Sequence, residues 1–157
     1  MVSQRATNIK TANILLVEDN VHDIELMIEA FKQLKLKNKI YTVKNGEDAL
    51  AYILGYDKFS DRNQYPLPDI IILDLNLPKL NGLDVLKKIK STDGIKRIPV
   101  IMLTSSDYDT DRINAYDSGV NSYIIKPFCF ERFVDVCKSI RDYWETINKE
   151  PPQININ

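Results

Sequence analysis

The sequence is short of several features that would direct its reading elsewhere. It has no surplus of positive charge: 21 Lys and Arg stand against 22 Asp and Glu, for a net charge of -1. That removes the electrostatic footprint of a nucleic-acid binder and of a basic membrane-surface segment. No apolar run approaches the roughly 20 residues that span a bilayer, and the opening MVSQRATNIK has no apolar stretch of signal-peptide length. A cytoplasmic location, with no membrane partner, is therefore expected. Cysteine is scarce, with only Cys129 and Cys137. Eight residues apart on one expected helix, their Cα atoms would lie roughly 12 Å apart, beyond disulfide reach. The single histidine, His22, falls just inside the first expected helix and reads as a solvated surface residue. Neither GxxxxGKS/T nor GxGxxG occurs, so the chain has no recognisable ATP loop and a phosphoryl donor must arrive already activated. About ten residues follow the last expected helix, too few for a DNA-binding domain.

What remains is a chain of 157 residues, 44% hydrophobic and 27% charged, enough for one domain with its own core. Short apolar runs alternate with helical periodicity. The runs are Ile14 to Val17, Ile40 to Val43, Ile70 to Leu73, Val100 to Leu103 and Tyr123 to Ile125. The stretch from Ile70 to Leu73 shows no polar alternation, as in a strand buried on both faces of a parallel sheet. Helical spacing links Ile24, Met27, Ile28, Phe31 and Leu34, then Ala49 to Leu54, then Leu83 to Ile89. A fourth helix is expected from Asp109 to Asp117, and a fifth from Phe130 to Ile147. Five strand–helix alternations imply an α/β fold, a parallel sheet with helices on both faces. The segment from Tyr56 to Pro68 lacks periodicity and reads as a long loop. Residues 13–148 are expected to form the domain, with 1–12 as an extension and 149–157 as a loose tail.

Ligands of such sheets bind beyond the carboxyl ends of the strands. The first strand ends in Glu18-Asp19-Asn20, the third in Asp74-Leu75-Asn76, the fourth in Thr104-Ser105 and the fifth in Lys126-Pro127. Alone, each has an ordinary reading: Asp19, Asn20 or Thr104 as a helix cap, Lys126 as a surface lysine. Together they place three carboxylates, a hydroxyl and an ammonium on one rim. Glu18, Asp19 and Asp74 would repel one another unless a hard divalent cation joins them, and Mg²⁺ suits one or two carboxylates plus waters and a phosphate oxygen. Phosphoryl transfer needs positioning and charge neutralisation more than a strong base, and a carboxylate can act as the nucleophile.

The stretches ILLVEDN, DIIILDLNLPKLNG, IPVIMLTSS and NSYIIKPF resemble the receiver domain of bacterial response regulators, over about Asn13 to Trp144. The resemblance implies a CheY-like, flavodoxin-type doubly wound (βα)5 sheet in the order 2-1-3-4-5. It implies that Asp74 is the phosphoacceptor. It makes Asp19 a direct Mg²⁺ ligand, Glu18 a ligand through water and Asn76 a backbone-carbonyl ligand, with Mn²⁺ or Ca²⁺ as substitutes. Thr104 resembles the switch hydroxyl, Tyr123 the switch aromatic and Lys126 the lysine that pairs with the phosphoryl group. Pro127 is expected to follow a cis bond. Glu18 stands where many members carry Asp. The DLNLP wording, the long loop and the RDYW ending are similar to stand-alone regulators paired with phytochrome-type histidine kinases. The implied partner is a histidine kinase, and no independent substrate turnover is expected.

Two other readings share parts of the pattern. A haloacid-dehalogenase-like Mg²⁺-dependent phosphatase also uses an aspartyl nucleophile, but wants a second Asp where Asn76 stands, and its nucleophile follows the first strand. A flavodoxin-like FMN module needs a Ser/Thr/Gly-rich phosphate loop where Glu18 and Asp19 would repel the phosphate. The apolar stripe to Ile147 spans about 27 Å of helix, longer than the roughly 17 Å of five-residue strands. Its end should overhang the sheet and expose Tyr143, Trp144 and Ile147 beside Tyr116. The face of the fourth helix, fifth strand and fifth helix is expected to change on phosphorylation and to serve self-association, as a two-fold homodimer, or docking of the kinase.

Overall fold

The computed structural model describes residues 12–35 and 39–144. Each apolar run becomes a strand: β1 (Asn13–Val17), β2 (Lys39–Val43), β3 (Ile70–Leu73), β4 (Val100–Thr104) and β5 (Ser122–Ile125). They form one parallel sheet in the order β2-β1-β3-β4-β5. All four residues of β3 are buried, as its unbroken apolar run predicts. The helices are α1 (Val21–Gln33), α2 (Gly46–Leu54), α3 (Gly82–Lys90), α4 (Asp109–Asp117) and α5 (Phe130–Asp142).

The sheet divides the core in two. On one face Met27 and Phe31 of α1 and Phe133 and Cys137 of α5 pack on Ile14, Leu16, Ile70 and Ile72. On the other, α2, α3 and α4 cover Leu15, Val17, Ile71, Leu73 and Met102. Three helices start on asparagine. Asn20, Asn45 and Asn81 each accept the backbone N–H three residues on, from Asp23, Asp48 and Asp84. The cap satisfies an orphan donor, and the acidic residue lies at the positive end of the helix dipole. The chain leaves β1 toward β2 on one side and reaches β3 on the other. The crevice at this switch point lies beyond the carboxyl ends of β1 and β3.

The loop expected over residues 56–68 is a built structure. A 3-10 turn at Asp57–Phe59 buries Phe59. Tyr52, Phe59 and Tyr65 pack tilted or edge-to-face at centroid distances of 5.1 to 5.8 Å. Arg62 donates to the carbonyls of Tyr52 at 2.8 Å and Ile53 at 2.7 Å, closing the C-terminal end of α2. Gly55 ends that helix at φ 73°, and a Cβ there would lie 2.7 Å from the Arg62 guanidinium.

The expected overhang of the last helix is corrected for Trp144. α5 ends at Asp142 with Tyr143 as its cap, and Trp144 is half-buried against the cluster between α1 and α5. A large indole gains more by covering its own core than by projecting into water. Tyr116 and Tyr143 are exposed, at 52% and 55%. Ile147, the 1–11 segment and the 145–157 tail lie outside the described residues. Among the described residues no helix is long and apolar enough to cross a membrane.

Candidate functional site

The rim residues converge in a cleft of about 510 Å³ lined by Glu18, Asp19, Asn20, Asp23, Asp74, Asn76, Ser105, Lys126, Pro127 and Phe128. The strands deliver them. The N–H of Glu18 extends the β1–β2 ladder to Val43, and that of Asp74 reaches Val17, so both carboxylates leave the sheet at fixed points. Gly82 lets α3 start against Asp74: a Cβ there would fall 2.1 Å from the Asp74 carbonyl oxygen.

One carboxylate oxygen each from Glu18, Asp19 and Asp74 lies within 4.8 Å of the others. Ligands about 2.0–2.1 Å from an octahedral ion lie roughly 3–4 Å apart, so this all-oxygen set fits Mg²⁺ with small adjustment or one intervening water. Glu18 and Asp74 are buried and Asp19 is exposed, so the cluster has one wet side. Asn76 borders the cleft and donates its N–H to Asp74 at 3.3 Å.

Lys126 stands among the carboxylates. Its Nζ is 2.7 Å from Glu18, 2.9 Å from Asp23 and 3.0 Å from Asp74. Burial works against the ammonium, but these three partners outweigh it and hold its pKa above the ordinary lysine value. Burial also pushes the Glu18 carboxyl up, to about 7, with Lys126 opposing and Asp74 reinforcing the rise. Asp23 is a residue that the strand-end reading misses, because it comes from the first turn of α1. The usable signal was Lys126 itself, whose three N–H groups need three acceptors once buried.

Thr104 is fully buried behind the cleft and is no helix cap: Tyr108 holds the N-cap position of α4 without a side-chain capping bond, while Thr104 Oγ1 accepts the Ser106 N–H at 3.3 Å. The Tyr123 hydroxyl donates to the Ser106 carbonyl at 2.9 Å. The two expected switch residues thus meet on one loop residue. The Lys126–Pro127 bond is trans, which corrects the expected cis geometry. An X–Pro bond favours trans by about 0.5–1 kcal/mol unless packing selects otherwise; the loop beyond Pro127 is open, with Phe128 wholly exposed at the edge of the cleft. His22 is exposed, as expected.

Residues 14–138 match the family described as the response regulator receiver domain. The chain is 38% identical over 138 residues to the probable methanogenesis regulatory protein FilR2 of Methanothrix harundinacea, covering 88% of this chain and 86% of that protein. It is 35% identical over 135 residues to response regulator Rcp1 of Synechocystis, covering 85% and 90%. The Mn²⁺-bound form of Rcp1 superposes with a TM-score of 0.80 at 33% identity, over 90% of this chain and 99% of that one. The phosphorylated cyanobacterial phytochrome response regulator RcpA does so with a TM-score of 0.84 at 37% identity, again over 90% and 99%.

Proposed function

The chain belongs to the response regulator receiver family, and on that premise we propose that Asp74 accepts a phosphoryl group from a histidine kinase in a two-component relay. The observation that carries this reading is the buried Asp74 carboxylate, within 4.8 Å of two further carboxylates and 3.0 Å from Lys126. An Asp74 oxygen attacks phosphorus, the donor's bond to phosphorus breaks, and the donor leaves with that electron pair. The product is an acyl phosphate. Asp19 and Asp74, the Asn76 carbonyl and, through water, Glu18 would hold Mg²⁺. Bound there, the ion neutralises charge on the transferring oxygens. Lys126 turns from Glu18 and Asp74 to a phosphoryl oxygen. The chain turns over no separate substrate in this reading.

The signal leaves through Thr104 and Tyr123. A dianion on Asp74 draws the Thr104 hydroxyl from the Ser106 N–H. The β4–α4 loop shifts, and the bond from Tyr123 to that loop is exchanged for an inward ring position. This alters the surface formed by α4, β5 and α5. Tyr116 and Tyr143 are exposed on it, and beside it a groove of about 1010 Å³ between the sheet and α5 runs past Ile124, Val136 and Trp144. A homodimer on this surface, a cytoplasmic setting and a phytochrome-type kinase belong to the same proposal. The resemblance to Rcp1 and RcpA supports the kinase class. Sedimentation with and without acetyl phosphate tests the dimer, and a monomer in both states at high micromolar concentration would remove it. Borohydride reduction of acetyl-phosphate-treated protein tests the acceptor, and a reduced residue mapped anywhere but position 74 would overturn the assignment.

A further inference from the structure

We propose that Asp23 is a positioning residue for phosphoryl transfer, one that keeps Lys126 in place while Glu18 and Asp74 exchange that ammonium for a metal ion and a phosphoryl group. The proposal rests on Asp74 being the acceptor. An ammonium has three donors and no more, and those of Lys126 face Glu18, Asp23 and Asp74 at 2.7, 2.9 and 3.0 Å. Two of these partners, Glu18 and Asp74, belong to the carboxylate set that can hold a cation; Asp23 does not. When Glu18 and Asp74 turn to the ion, Asp23 is the carboxylate that remains on Lys126.

Asp23 is well fixed for this. Its N–H is held by the Asn20 side chain at 3.1 Å, and the next residue, Ile24, is buried in the core. Its side chain is only 20% exposed. The contact joins residues 103 apart in sequence, tying the first turn of α1 to the end of β5. Lys126 by contrast sits on a flexible four-carbon stem. Without Asp23 its ammonium settles wholly on Glu18 and Asp74 and competes with the cation for both. Cation binding then weakens. Phosphoryl uptake slows as well, because the ammonium no longer waits where the phosphoryl oxygen arrives. Both effects pass through the charge on Lys126.

A double-mutant cycle tests this on wild type, Asp23→Asn, Lys126→Met and the double variant. Calorimetric titration with Mg²⁺ alone gives the dissociation constant, and labelling by acetyl phosphate at saturating Mg²⁺ gives the rate. Asp23→Asn should weaken Mg²⁺ binding and slow labelling, each by about fivefold to tenfold, when Lys126 is present. In the Lys126→Met background it should change either by less than about twofold. Asp23→Glu should recover most of both in the wild-type background. Equal effects of Asp23→Asn in the two backgrounds, or none in wild type, would overturn the proposal. A wild type that takes no label would instead remove the Asp74 reading, and the Mg²⁺ arm would still decide the role of Asp23.

Discussion

Replacing Lys126 by Met removes the cation that pairs with Glu18, Asp23 and Asp74 while keeping much of the side-chain volume. The side chains of Lys126, Glu18 and Asp74 are 12%, 4% and 6% exposed, so their charges gain little from water. Breaking a buried ionic group by removing one partner costs about 3–5 kcal/mol when the remaining charges persist. Here one of them can be discharged, because burial holds the Glu18 carboxyl at about 7 even with Lys126 opposing. A carboxyl whose folded pKa lies above its unfolded value contributes stability that is complete below the unfolded pKa, and loses it as pH climbs through the folded one. For wild type that window runs from 4.5 to about 7. Without Lys126 the folded pKa rises further, and the loss continues to higher pH. The deficit of the variant should therefore grow with pH, from about 2–3 kcal/mol near pH 6 to about 3–5 kcal/mol near pH 8.5. Mg²⁺ should reverse part of it. A ligand at 100 times its dissociation constant stabilises by about 2.7 kcal/mol, and the variant leaves Glu18 and Asp74 free of the competing ammonium. Urea unfolding followed by circular dichroism, in EDTA and in millimolar Mg²⁺ across this pH range, measures both effects. A deficit independent of pH, or equal Mg²⁺ stabilisation of the two proteins, would mean that Lys126 neither offsets the Glu18 charge nor competes with the cation.

Three further outcomes follow from other parts of the structure. Arg62→Ala leaves the carbonyls of Tyr52 and Ile53 without their charged donor and should cost about 2–4 kcal/mol in urea unfolding, while phosphate uptake by the folded protein stays at the wild-type rate. Cys129 is exposed, whereas Cys137 is buried and its thiol pushed by that burial to about 12; a thiol reagent near pH 8 should modify Cys129 in the folded protein and reach Cys137 only in denaturant. Thr104→Ala should still accept phosphate but lose the phosphorylation-dependent change in self-association or partner binding, and an unchanged response would remove Thr104 from the switch.

The strands were legible because the apolar runs from Ile14, Ile70 and Val100 have the unalternating character of buried parallel strands. The resemblance then fixed which strand lies beside which. Asp74, Glu18, Asp19, Thr104 and Lys126 were legible because each lies at or within two residues of a strand's carboxyl end, and strand ends in this fold share one rim. Asp23 was not, since it approaches the cleft from a helix turn and its partner lies 103 residues away. The order in residues 56–68 was hidden for a related reason. Phe59, Arg62 and Tyr65 follow no period and find their places only against Tyr52 and the end of α2. Trp144 was misplaced because helical periodicity counts apolar positions without saying how the last side chains of a helix turn. The geometry at Pro127 is set by a small energy difference that local sequence does not resolve.

In the proposed relay Asp74 takes the phosphoryl group with a divalent cation beside it. The most direct measurement is the intact mass of wild type and Asp74→Asn after acetyl phosphate, each with Mg²⁺ and with EDTA. Wild type in Mg²⁺ should gain the mass of one phosphoryl group, and the other three samples should gain none. Equal uptake by Asp74→Asn, or equal uptake by wild type in EDTA, would contradict the account.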